Sequence, residues 1–84
     1  MSQPWMADPN SAFLRQLGDN TSAPYETCPD LWELENGDFA IIGSDLTDEY
    51  SSRLPEGVSI APYERLVVLP RARIVSSKKD IPDV

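Results

Sequence analysis

The sequence predicts an α+β fold built around a β-hairpin, and three observations carry that prediction. Asn36-Gly37 is a turn pair between two strand-like segments, residues 31–35 and 38–42. Leu46, Tyr50 and Leu54 recur every four residues, which is one apolar stripe of a short helix. Residues 65–69 form an apolar run rich in β-branched side chains, as expected of a covered strand. The expected architecture is a hairpin, a short helix and a third strand in a small three-stranded sheet, with helices packed on one face.

Taken in order, residues 1–29 read as a partly disordered N-terminal arm, with Pro4, Pro9, Pro24 and Pro29 among many Ser, Asn and Asp. A short helix at 9–17 is possible within it. Asp8 can cap, Pro9 fits the first helical position, Phe13, Leu14 and Leu17 form a stripe, and Gly18 ends it. So short a helix must dock on something to persist. Residues 19–29 read as a linker.

Residues 30–79 form the expected domain. A two-residue type I′ turn at Asn36-Gly37 sets Leu34 opposite Phe39 and Trp32 opposite Ile41, all four on one face. Ser44 or Asp45 can cap the next helix, with Asp48 and Glu49 in its first turn, and Pro55 closes it. Val58 and Ile60 are expected to tuck inward from a connector. Residues 65–69 supply the third strand, which Pro70 stops. A strand or a helix fits residues 71–79; Pro70 at the start and Lys78-Lys79 near the end favour the helix. Residues 80–84 are a tail.

Composition excludes much chemistry. The 84 residues contain no histidine and one cysteine, so imidazole catalysis, a His-containing zinc site and an internal disulfide are all out of reach. The net charge of −7 is uneven: residues 1–64 carry twelve acids and two bases, whereas residues 65–84 carry five bases and two acids. An acidic body argues against a general nucleic-acid binder. The first residues lack the basic and apolar regions of a secretory leader, and no apolar run is long enough for a membrane span. With a lone cysteine, these features point to a cytoplasmic protein.

The candidate residues are few. Glu33, Glu35, Asp38, Asp45, Asp48 and Glu49 place six carboxylates in seventeen residues. Their spacing is not that of a calcium loop, and a solvated acidic face that steers a positively charged partner is the favoured reading. Trp5, in the arm, and Trp32, in the hairpin, are candidate apolar anchors. Cys28-Pro29 could hint at a ligand, but an inert, partly buried thiol accounts for it better. Arg65, Arg71, Arg73, Lys78 and Lys79 could touch phosphate, or simply pair with the chain's own acids, which is preferred. No metal, cofactor or catalytic residue is expected.

From Cys28 onward a longer pattern can be followed. It runs through Cys28-Pro29-Asp30, Trp32-Glu33-Leu34, residues 37–43 (Gly-Asp-Phe-Ala-Ile-Ile-Gly), Asp45-Leu46-Thr47, Glu64-Arg65 and Val68-Leu69-Pro70-Arg71. This pattern, over about two thirds of the chain, resembles a family of small acidic actinobacterial proteins of unknown function. That family has no assigned reaction, ligand or functional residue. Its genes often accompany helix-turn-helix regulators, so the resemblance implies an accessory role.

The expectation is therefore a non-enzymatic protein-interaction module, an accessory to a transcriptional regulator or another basic partner, with a homodimer also in view. A small DNA-associated regulatory domain using residues 65–79 is the alternative. A carboxylate- or metal-dependent enzyme ranks last.

Overall fold

The computed structural model describes residues 5–18 and 29–83. Their order is β1 (Phe13–Gln16), β2 (Asp30–Leu34), β3 (Phe39–Ile42), β4 (Ser44–Asp45), α1 (Thr47–Tyr50), β5 (Val67–Val68) and α2 (Arg71–Ser77). A 3-10 turn at Lys78–Asp80 prolongs α2. The class is α+β, with β1-β2-β3 as a three-stranded antiparallel sheet and β4-β5 as a separate two-stranded one.

The third strand of the main sheet is not the one expected. Residues 9–17 hold no helix; Phe13–Gln16 are a strand beside β2. The apolar trio Phe13, Leu14 and Leu17 fits either period, and the edge of β2 decides between them. Leu17 N–H donates to the Leu31 carbonyl at 2.9 Å and Glu35 N–H to the Ala12 carbonyl at 2.9 Å. Four extended residues thus gain a ladder that an isolated helix of that length lacks. Residues 65–69 in turn contribute only the two-residue β5, paired with β4 and cut short before Pro70. Val58 is exposed rather than tucked inward.

The hairpin is present, but its register is shifted by one residue from the expected pairing. Glu33 faces Phe39, Trp32 faces Ala40 and Leu31 faces Ile41. The loop has three residues: Gly37 N–H donates to the Leu34 carbonyl at 3.0 Å, and Leu34 N–H to the Asp38 carbonyl at 2.8 Å. A type I′ turn needs positive φ at both central residues. Here only Gly37 has it, at 92°, while Asn36 stays at negative φ. Asn36 instead accepts from Asp38 N–H at 2.9 Å and donates to Asp38 Oδ2 at 3.1 Å. The slip moves Phe39 and Ile41 to the face opposite Trp32 and Leu34.

On one face, Leu31 pairs with Leu17, and these are the two buried apolar side chains among the described residues. On the other, Phe13 meets Trp32 edge-on, with ring centroids 5.4 Å apart. The helix at 71–79 forms as favoured, with Pro70 at its N-cap. Two fully buried side chains tie it to the sheet: the Ser77 hydroxyl donates to the Leu17 carbonyl at 3.4 Å, and Arg73 makes the larger set of bonds. Its guanidinium donates to the Pro29 carbonyl at 2.9 Å, to Asp30 Oδ1 at 3.3 Å, and to the Ser76 and Ser77 hydroxyls at 3.3 and 3.4 Å. A buried guanidinium needs such partners, and its planar fork can reach several at once. Nearby, Asp80 accepts from Gly18 N–H at 2.8 Å, and its carbonyl accepts from Arg15.

The expected helix after Gly43 is one turn. Its N-cap is Leu46 rather than Ser44 or Asp45; Asp45 Oδ1, one residue earlier, accepts from Thr47 N–H at 3.1 Å and from the Thr47 hydroxyl at 2.7 Å. That hydroxyl accepts from Leu66 N–H at 2.7 Å, which fastens α1 to the segment leading into β5.

Candidate functional site

The six carboxylates do not gather into one face. Glu33 lies on β2 with its side chain mostly covered, and Arg15 neutralises it at 2.9 Å. Glu35 and Asp38 sit at the hairpin turn, where Asp38 is engaged with Asn36. Asp45 pairs with Arg65 at 3.0 Å at the opposite end of β3. Its carboxyl is held below the ordinary carboxylate value, first by the Thr47 hydroxyl, then by the Thr47 N–H, then by Arg65. Asp48 and Glu49 are exposed on α1. The four residues of β3, at ~3.3 Å each, alone put more than ~13 Å between the turn acids and the α1 acids.

The basic stretch is largely spent within the fold. Arg73 is buried, Arg65 holds Asp45, and Lys79 donates to the Ser76 carbonyl at 3.0 Å. Arg71 and Lys78 stay exposed. Among the described residues no group of three or more His, Cys, Asp or Glu is placed to hold a metal ion. No helix among them is long and apolar enough to cross a membrane. Cys28 lies outside the described residues, as does most of the 19–29 linker.

What the structure does bring together is apolar surface. Trp5 is 68% exposed, with Met6 exposed beside it. Trp32 is half-buried against Phe13. Thirteen large hydrophobic residues are exposed among those described, against two that are buried. They include all three large side chains of β3: Phe39 at 42%, Ile41 at 45% and Ile42 at 43%. Soluble monomers carry scattered exposed apolar residues, but an uncharged run along one strand is a different matter.

β3 is also an open edge. Leu31 accepts from Leu17 N–H and Glu35 N–H donates to Ala12, both on the β1 side, so the odd-numbered residues of this strand serve β1, whereas Leu34 bonds to Asp38. Antiparallel ladders alternate, so Ala40 and Ile42 point their backbone groups at β2. Phe39 and Ile41 point theirs outward, where no described residue meets them. The β1 edge is guarded by Arg15 and by a bulge between Phe13 and Arg15. The β3 edge has no charge, proline or bulge.

A two-residue loop would set Phe39 and Ile41 on the packed face of Trp32 and Leu34, so their exposure is not legible in the sequence. The available signal was the uncharged run at 39–42, with a charged neighbour only at Asp38. The preferred pairing of the basic residues with the chain's own acids is found for Arg65 with Asp45 and for Arg73 with Asp30; the full burial of Arg73 is what the sequence does not announce, although Ser76-Ser77, one turn on, is a hydroxyl pair at the spacing that meets its guanidinium. Comparison with family models, with curated proteins and with solved structures finds no match for this chain.

Proposed function

We propose that the chain is a non-enzymatic protein-interaction module that completes its apolar core against a partner. The supporting observation is the ratio just described: thirteen large hydrophobic residues exposed and two buried among the described residues. At about 25 cal/mol per Å², two buried leucines with half-buried neighbours such as Trp32, Leu34, Leu66 and Leu69 make a thin core to set against the cost of ordering the chain. Covering the β3 strand and the Trp5–Met6 pair would add what the isolated domain lacks. The resemblance to the small acidic family supports an accessory role beside a regulator. The exposed acids Glu35, Asp48 and Glu49 would steer a basic partner of that kind.

The test is uptake of a fluorescent apolar dye by the chain in dilute solution, about 1 μM, with near-ultraviolet dichroism to show native packing. Strong uptake by a natively packed chain is the expected result. A packed monomer that takes up no dye overturns the reading.

A further inference from the structure

We infer that the surface covering the β3 edge is the β3 edge of a second copy, joined about a two-fold axis into a continuous six-stranded antiparallel sheet. The inference rests on the interaction-module reading and assigns the occupant of this one edge. A two-fold axis perpendicular to the sheet keeps each side chain on its own face, so only like-faced residues can lie opposite one another. The free backbone groups of each copy belong to Phe39 and Ile41. Setting Phe39 against Ile41 of the second copy, and Ile41 against its Phe39, makes both pairs hydrogen-bonded and leaves none of these groups unmatched. Ala40 then meets its own counterpart on the axis, where a small side chain suits the close approach of a non-hydrogen-bonded pair. A register centred on Ile41 would instead set Phe39 against Gly43, which lies beyond the strand.

Side-chain chemistry agrees with this register. Phe39 and Ile41 share the face of Leu31 and Leu17, beside the region that α2 covers. In the pair, Phe39 and Ile41 of both copies form one apolar cluster across the seam. Asp38 falls opposite Ile42 of the second copy rather than opposite an acid, so the −7 charge of each chain meets no like charge in the register. A basic partner would find no charge to read along this strand. A second copy brings the same uncharged edge and the same unmatched groups.

The experiment uses the full chain with Cys28→Ser, to leave no native thiol. Sedimentation equilibrium at about 200 μM should give twice the 9.4 kDa of one chain. Ile41→Lys should return it to one chain without disturbing β2–β3 pairing, because the Ile41 N–H and C=O point away from β2. Added salt should strengthen the pair, since it screens repulsion between acidic copies; a basic partner would be weakened. Ala40→Cys in the Cys28→Ser background should form an intermolecular disulfide on mild oxidation. Its Cα separation of roughly 4.5 Å across the axis lies within disulfide range. Tyr63→Cys, exposed and far along the chain from β3, should cross-link at most one-tenth as fast. A single-chain mass at that concentration, or equal cross-linking at both positions, overturns the proposal. If such a monomer still takes up the dye, the second copy is refuted and the module reading stands; if it takes up none, both fall.

Discussion

Replacing Arg73 with alanine removes the charged side chain that joins α2 to the sheet. It leaves the Pro29 carbonyl without its donor and Asp30 without its cation. Truncating one member of a buried ion pair costs about 3–5 kcal/mol. The lower end applies here, because Asp30 also accepts from Gln16 Nε2 at 2.7 Å and keeps some exposure. The orphaned carbonyl adds about 1 kcal/mol. A total near ~4 kcal/mol compares with a stability of roughly 4–13 kcal/mol for a chain of this length, so Arg73→Ala removes between about a third of it and all of it. Urea unfolding followed by far-ultraviolet dichroism at fixed protein concentration measures the loss. With m near ~1 kcal/mol/M, the midpoint should fall by about 3–4 M, or the folded baseline should vanish. The double variant Arg73→Met with Asp30→Ala, which removes both charges and keeps the volume, should recover much of that loss. A fall below about 0.5 M for Arg73→Ala would refute the reasoning, since it would mean that the guanidinium anchors nothing.

Two further predictions concern backbone and pH. Gly18 and Gly37 both have positive φ, at 68° and 92°, but a Cβ on Gly18 would lie 2.9 Å from Arg73 Nη1 and 2.8 Å from Ser76 Oγ, whereas one on Gly37 meets open space. Gly37→Ala should therefore cost about 1 kcal/mol and Gly18→Ala about 3 kcal/mol by urea unfolding, with equal costs counting against the packing described. The Asp45 carboxyl titrates lower in the folded chain than in the unfolded one, so its contribution is present above the unfolded value of about 3.9 and is lost as pH falls through the folded value. The melting temperature should drop as pH falls from about 5 downward, and Asp45→Asn should flatten part of that drop; an unchanged profile would contradict the bonds of Asp45 to Thr47 and Arg65.

The hairpin and α2 were legible in the sequence because local chemistry settles them. Asn36-Gly37 demands a turn whichever loop length it adopts, and Pro70 before a basic amphipathic segment suits a helix start. The register was not legible, because loops of two and three residues share those letters. The sign of φ at Asn36 separates them, and nothing in the sequence states it. β1 was hidden for a different reason: Phe13, Leu14 and Leu17 satisfy both periods, and the deciding partner, β2, lies fourteen or more residues away in the chain. The acidic residues were read as one face because they are close in sequence. β3, which runs between them, carries them to opposite ends of the sheet, and two of the six are already held by Arg15 and Arg65. One residue of slip moves Phe39 and Ile41 from the face of Trp32 and Leu34 to that of Leu31, where they stay 42% and 45% exposed.

Residue-resolved amide exchange along β3, at low and at high protein concentration, tests the account most directly. Ala40 and Ile42 donate to β2 and should be protected at both concentrations. Phe39 and Ile41 point outward, and their protection should rise with concentration towards that of their neighbours. Fast exchange of Phe39 and Ile41 at every concentration, beside protected Ala40 and Ile42, would contradict it.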